Sequence, residues 1–410
     1  MFSSSQAAPT TADEASPRYP GWRVVAVCFA VATFCWGFGL YSHGIYLVEL
    51  RRLHGWSASQ ISGAATAYYL LTATLVIFIS DAIARLGPRR LLLIGTCFLG
   101  SAVVLLAFVA ALWQLYAVYL VMAVGSAAMH VGAITNILGL WFDRQRPLAI
   151  SLALNGASSG GILVAPALVM AIAAAGFATA MVDAAIVMAA VLIPAIAIWV
   201  GRPPPRGGSG TATAPARWTR RGALRSPMFW SVAAPFAMAL TAQVGFLVHQ
   251  IALLEPTMGR TWAGLAVAVL TVAAVIGRIV LGALALRLDL RRATALLLGA
   301  QVAALFAMTQ STDATALLVA CAVFGLGAGN LISLPALIIQ REFEPASFGM
   351  LVGLSTAIGQ FTYAFGPGLL GVIRDITGDY AAALALCMLL EIAAAGIVLM
   401  RAQRKPVDLR

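Results

Sequence analysis

A guanidinium in the middle of an apolar helix is costly, and this sequence contains one. The stretch TVAAVIGRIVLG (271–282) carries Arg278, and the nearest acidic residues along the chain are Glu255 and Asp289. A charge at membrane depth costs several kcal/mol unless it is paired or wetted. A guanidinium stays ionised and offers a planar fork matched to a carboxylate, so the chemistry it suggests is anion binding. Three histidines, His43, His130 and His249, also fall in apolar runs, whereas His54 lies in a polar segment. Histidine takes and releases a proton between about pH 5 and 8, which makes the three proton-coupling candidates. The competing role for each is a hydrogen-bonded structural side chain. Asn330, Ser333, Gln360, Asn136, Tyr68 and Tyr69 are neutral polar residues in apolar runs. They suit either substrate orientation or interhelical hydrogen bonding.

Other chemistries leave no trace. The chain has no HExxH, no GxxxxGK[ST] and no cluster of metal ligands, so we expect no enzyme, no cofactor and no metal. All five cysteines (Cys28, Cys35, Cys97, Cys321, Cys387) sit in apolar runs and read as small hydrophobes. Without a nucleotide-binding motif, any transport would draw on an ion or solute gradient.

The elements that must position these residues are membrane helices. The 410 residues are 61% hydrophobic and 10% charged, too little polar surface for a soluble domain. Continuous apolar runs of about 20 residues, without period-2 alternation, predict helices rather than a barrel. Twelve spans fit, at roughly 22–48, 58–84, 91–112, 115–141, 147–174, 177–200, 227–254, 261–286, 293–311, 314–340, 347–373 and 380–400. The first is too long for the core of a signal peptide. Net charge is +11, and its placement argues topology rather than nucleic acid. Of the 26 Lys and Arg, 20 fall in the tails and even-numbered loops, with Arg23 at the tail end of span 1. Four (Arg51, Arg52, Arg260, Arg374) fall in odd-numbered loops, leaving Arg278 within a span. That split predicts both termini in the cytoplasm. Arg278 lies nine residues before Arg287, about 13 Å along the helix, too deep for snorkelling to serve well.

Residues 201–226 (GRPPPRGGSGTATAPARWTRRGALRS) read as a flexible linker between two halves, 21–200 and 227–401. Residues 1–20 and 402–410 read as polar tails, the first disordered. The halves echo each other: ARLGPRRLLLIG (84–95) aligns with LRLDLRRATALL (286–297), setting Arg85, Arg89 and Arg90 over Arg287, Arg291 and Arg292. Parallel six-helix repeats place a binding site between the halves near the midplane. In span 5, Ala149, Ala153, Ala157 and Gly161 recur every fourth residue beside Gly156 and Gly160. Such a stripe lets helix backbones approach closely, and Pro166 permits a bend.

This layout resembles the major facilitator superfamily from about Gly21 to Met400. Four stretches resemble its monocarboxylate-transporter and oxalate/formate-antiporter branch: GWRVVAVCF (21–29), YSHGIYLVELRRLHGWSASQIS (41–62), WFDRQRPLAISLALNGASSGGILVAP (141–166) and FGPGLLGVIRDITGDY (365–380). The resemblance implies an all-α membrane protein of twelve transmembrane helices in two pseudo-symmetric six-helix bundles. It also implies that spans 1, 4, 7 and 10 line the cavity, that the span-8 arginine (Arg278) engages a substrate carboxylate, and that the loop 2–3 motif is a cytoplasmic gate. Here that gate comprises Asp81, Arg85, Gly87, Arg89 and Arg90, with Arg287, Arg291 and Arg292 as the second copy.

Departures from the branch are specific. Ala84 and Leu286 stand where the gating motif has an acidic residue, Asp81 lying one turn earlier. Ala274 stands where proton-coupled relatives have an aspartate. Tyr41 falls near their span-1 lysine, and span 11 offers Gln360 and Tyr363 where exchangers have a lysine. The chain's one lysine is Lys405. We therefore expect a monomeric secondary transporter in a bacterial-type inner (plasma) membrane. Its partners would be a small organic anion, a proton or counter-anion and the bilayer, with no nucleic acid. Tyr41, His130, Asn330 and Gln360 are expected beside Arg278 at the substrate. His43, near the lysine position, leads the proton candidates, with His249 its counterpart in span 7. Alternatives are an efflux carrier for a larger amphipathic compound and a non-transporting sensor. Asp183, at the end of span 6, and Glu391, in span 12, have no assigned role.

Overall fold

The computed structural model describes residues 14, 16, 18–142, 144–201, 218–284, 287–344 and 347–400. Among these every regular element is helical. Nine helices are long and apolar enough to cross a membrane by themselves. The other three spans are interrupted. Span 2 comprises Ala58–Val76 and Ile79–Leu86, bent by 60°. Span 10 is Ala314–Ala328 followed by Leu334–Glu342, and span 11 is Phe348–Tyr363 followed by Gly366–Thr377. Pro335 and Pro367 open the second pieces, where a missing N–H costs nothing because the first turn has no acceptor for it. Span 4 also breaks, Leu112–Met129 giving way at the extended residue His130 to Val131–Trp141.

Span 1 runs further than its apolar stretch. Gly21–Trp36 passes through a π turn, Gly37–Tyr41, into His43–His54, and stops at Gly55 with φ +69°. The extra turns are amphipathic and are held by ion pairs from Glu49 to Arg52 and Arg260. The expected disordered tail is partly seated. Tyr19 is buried edge-on against Phe142 and donates to the Trp141 carbonyl, and Gln145 N–H donates to Glu14 at 2.9 Å. Within the expected linker, Thr219 caps a short helix, Arg220–Leu224, and Trp218 N–H donates to Ser347 Oγ. Residues 202–217, Leu286 and Lys405 lie outside the described residues.

Small residues set the helix spacing. A methyl added at Gly156 would lie 2.0 Å from the Phe29 carbonyl oxygen, and one at Gly160 would lie 2.5 Å from that of Thr33. Span 5 is thus pressed backbone-to-backbone on span 1, with Ala149 and Ala153 buried in the same contact. Span 11 meets span 7 in the same manner, Gly366 against the Thr241 carbonyl. Span 5 carries its own π turn, Gly160–Val164, just before Pro166. A methyl on Gly37 would strike Val164, so the two π turns abut.

The contacts between the halves gather on the face opposite the termini. There the tip of span 1 packs on span 7, and the start of span 2 packs on the end of span 11. Arg52 pairs with Glu255 across the halves, and Arg260 with Glu49. The Asp375 carboxylate accepts from Ala58 N–H at 3.2 Å and Ser59 N–H at 2.7 Å, occupying the first amides of span 2.

Candidate functional site

Behind that closed face lies a cavity of about 280 Å³ between the halves, walled by spans 1, 2, 4, 7, 10 and 11. One side is aromatic: Trp36, Tyr68, Tyr69 and Tyr363. His130, Gln243, Ser355, Thr356 and Gln360 supply polar groups, while Phe236, Leu240, Leu247, Leu331 and Ile332 make the rest apolar. His130 owes its position to the break in span 4, and its ring stacks on Trp36 at 4.7 Å. His130 Nδ1, Gln243 Oε1 and Thr72 Oγ1 are buried with no hydrogen-bond partner. Buried polar atoms are normally satisfied, so these three are exceptions on the cavity wall.

The residues singled out by sequence divide into three groups. His130 and Gln360 line the cavity, with Tyr68 and Tyr69. Tyr41 and Arg278 lie behind its wall, next to Leu40, which does line it. Tyr41 of span 1 lies beside Thr271 of span 8 and within electrostatic reach of Arg278, and Gly161 of span 5 leaves the room: a methyl there would strike both Tyr41 and Thr271. Arg278 Nε donates to the Gly329 carbonyl at 3.1 Å, an acceptor exposed by the break in span 10. No carboxylate of the described residues pairs with it. Asn330 is buried and donates to the Leu326 carbonyl of its own span.

The third group is packed away. His43 sits in a cage of Tyr46, Tyr68, Tyr69 and Tyr119, its Nδ1 3.3 Å from the Tyr69 hydroxyl and its Nε2 without a partner. Tyr69 is therefore its hydrogen-bonded link to the cavity wall, and Tyr68 meets it by ring contact. His249 has both nitrogens engaged, Nδ1 with Tyr380 Oη and Nε2 with the Pro367 carbonyl, each at 3.0 Å. Sequence reading missed Trp36, Gln243 and Ser355. Gln243 carried the same cue as Asn136, a lone amide in an apolar run, while Trp36 carried none.

A helical bundle in two halves, closed at one face around a central cavity, is a shape that sequence comparison can name. Residues 29–367 match the Major Facilitator Superfamily. The chain belongs to that superfamily. It is 29% identical over 399 residues to monocarboxylate transporter 11 of Mus musculus, covering 90% of this chain and 84% of that protein. It is 36% identical over 88 residues to a putative anionic 4-hydroxy-benzoate permease of Thauera aromatica, covering 21% of this chain and 53% of that protein. Among solved structures it is similar in fold to a bacterial homologue of the human lysosomal transporter Spinster, in an inward-facing and occupied conformation. That match has a TM-score of 0.65 and 16% identity, and covers 93% of this chain and 95% of the other. The protein is thus an integral, multi-pass membrane transporter and not an enzyme.

The superfamily's basic loops take two forms here. Asp81, Arg85, Arg89 and Arg90 are exposed and make no ion pair among the described residues, and the chain turns at Gly87 with φ +79°. In the second copy Arg287 and Arg292 are exposed, but Arg291 is only 3% exposed. Its Nε and Nη2 each lie 2.7 Å from the Glu342 carboxylate, and it also donates to Ser231 Oγ and the Val398 carbonyl. All of these partners belong to the C-terminal half.

Proposed function

We propose that the chain moves a small organic anion, a monocarboxylate, by secondary active transport, with proton symport or anion exchange. The carrying observation is Arg278, a guanidinium in mid-span bonded to a backbone carbonyl, with no carboxylate pairing with it among the described residues. Burying a charge without a counter-ion is unfavourable, and an anionic cargo supplies one. Ala274, one turn before it, cannot, and a single fixed charge favours a monoanion over a dianion. Arg278 stands behind the wall of the cavity in this state, so its engagement belongs to the rocking of one half on the other. The names of the relatives, a monocarboxylate transporter and an anionic hydroxybenzoate permease, support the reading. The aromatic wall of Trp36, Tyr68, Tyr69 and Tyr363 favours a cargo with a ring.

The uneven distribution of Lys and Arg supports cytoplasmic termini in an inner membrane. The closed face is then the outer one and the state is inward-facing. The carrier works as a monomer. Of the three histidines His130 is the one on the cavity wall, with a free Nδ1, and we assign proton coupling to it before His43 or His249.

Proteoliposome uptake of formate, lactate, benzoate and 4-hydroxybenzoate, with and without a pH gradient, tests this. Wild type should accumulate an aromatic monocarboxylate and Arg278→Lys should not. No uptake of any carboxylate, or a Lys variant indistinguishable across the panel, ends the carboxylate reading. His130→Gln should lose gradient-driven uptake and keep exchange, and retained gradient dependence removes His130 from the proton route. The apolar part of the wall favours one second reading, export of a larger amphipathic compound. That reading requires everted vesicles to accumulate such a dye when carboxylates are not carried.

A further inference from the structure

A second pocket lies on the outer face, apart from the central cavity and outside the reading above. It has a volume of about 430 Å³, and its wall includes Arg51 from the tip of span 1, Pro256 from span 7, Thr309 from span 9, Arg374 from the last turn of span 11, and Asp379 and Tyr380 from the loop between spans 11 and 12. Two guanidiniums from opposite halves thus face one space. The Arg51 side chain makes no hydrogen bond or ion pair among the described residues, its backbone carbonyl accepting from Gly55 N–H. Arg374 reaches Asp375 at 3.5 Å through Nη1, while its Nε is buried with no partner. Asp375 also accepts from the amides of Ala58 and Ser59, and its oxygens do not reach Arg374 Nε. The carboxylate on the wall, Asp379, accepts from Ala381 N–H at 2.9 Å, capping span 12. Tyr380 lies beneath Arg374, with the guanidinium carbon 6.0 Å from its ring centre, and its hydroxyl is held by His249.

We propose that Arg51 and Arg374 form an outer anion site that takes a carboxylate or phosphate group. The forked donors suit the oxygens of either group. An anion seated there bonds to both halves while the outer face is closed. Opening that face parts the two arginines. By its differential affinity for the two states, the anion therefore holds the carrier inward-facing. A free anion and a lipid headgroup offer the same oxygens.

The full chain in phosphatidylcholine nanodiscs is titrated with inorganic phosphate and with acetate, against chloride at matched ionic strength, reading heat of binding and thermal midpoint. Phosphate or acetate should bind and raise the midpoint, and Arg51→Gln should weaken binding about tenfold, the loss of a charge-assisted hydrogen bond. The phosphate response should be the same in Arg278→Lys, and any acetate heat that Arg278→Lys removes belongs to the central site, so failure of the central carboxylate reading does not touch the outer one. If a lipid is the occupant, phosphatidylglycerol nanodiscs raise the midpoint of wild type but not of Arg51→Gln, and free phosphate then no longer binds. The site is overturned if neither free anion nor phosphatidylglycerol stabilises the protein, or if Arg51→Gln responds as wild type does. Because the Arg51 side chain has no internal partner, that variant should fold, and a wild-type midpoint in phosphatidylcholine confirms it.

Discussion

The two basic loops sit at equivalent places in the two halves with the same arginine spacing, yet one is open and the other is clamped. Arg89 is exposed, while its counterpart Arg291 ties span 9 to spans 7, 10 and 12 through Ser231, Glu342 and Val398. Arg291 finds the Glu342 carboxylate and the Ser231 hydroxyl within its own half, whereas Arg89 makes no ion pair among the described residues. The turns differ too. Gly87, with φ +79°, leads into Pro88. Its equivalent Asp289 is extended and accepts from the amides of Arg291 and Arg292. A shared motif has become a structural rivet in one half. In the other it remains exposed charge.

Thermal unfolding of single variants in one detergent puts that difference to the test. Arg291→Ala should cost the most, about 3–5 kcal/mol, because it leaves Glu342 and two buried acceptors without their donor. A midpoint equal to wild type would break the comparison. Gly87→Asp, which gives the first loop the residue of the second, should cost about 1–3 kcal/mol through a positive φ that aspartate tolerates poorly. Nothing lies within 4 Å of a methyl there, so crowding cannot add to it. A neutral result would show that the turn can relax to the Asp289 form. Asp289→Ala should lose about 1 kcal/mol, the usual worth of a helix cap, with Asp289→Gly milder. Arg89→Ala should stay within about 0.5 kcal/mol, as for an unpaired surface side chain. A fall like that of Arg291→Ala would mean that Arg89 has a partner in some other state.

Legibility followed the same division. The long runs of spans 3, 6, 9 and 12 were readable because hydropathy reports what a segment tolerates around it. The breaks were not. His130 and Gly329 interrupt their spans where another group meets the freed backbone or stacks on it, and in the second case that group is Arg278 Nε from a different helix. The three histidines carried one cue in sequence, an imidazole in an apolar run. They ended as a cavity-wall residue, a caged ring and a fully bonded strut because Trp36, Tyr119 and Tyr380 arrive from elsewhere in the chain.

Composition alone determined that this protein lives in a bilayer, since a chain 61% hydrophobic cannot cover itself with polar surface. Its repeated arginines, central interruption and small-residue stripes determined two related halves with close helix contacts. Which polar side chains face the central cavity, and which of two matching arginines is buried, was decided only when the helices packed. Those outcomes depend on neighbours tens to hundreds of residues away. A buried charge or amide is stable only where such a neighbour supplies its partner, and no local window of sequence contains that information.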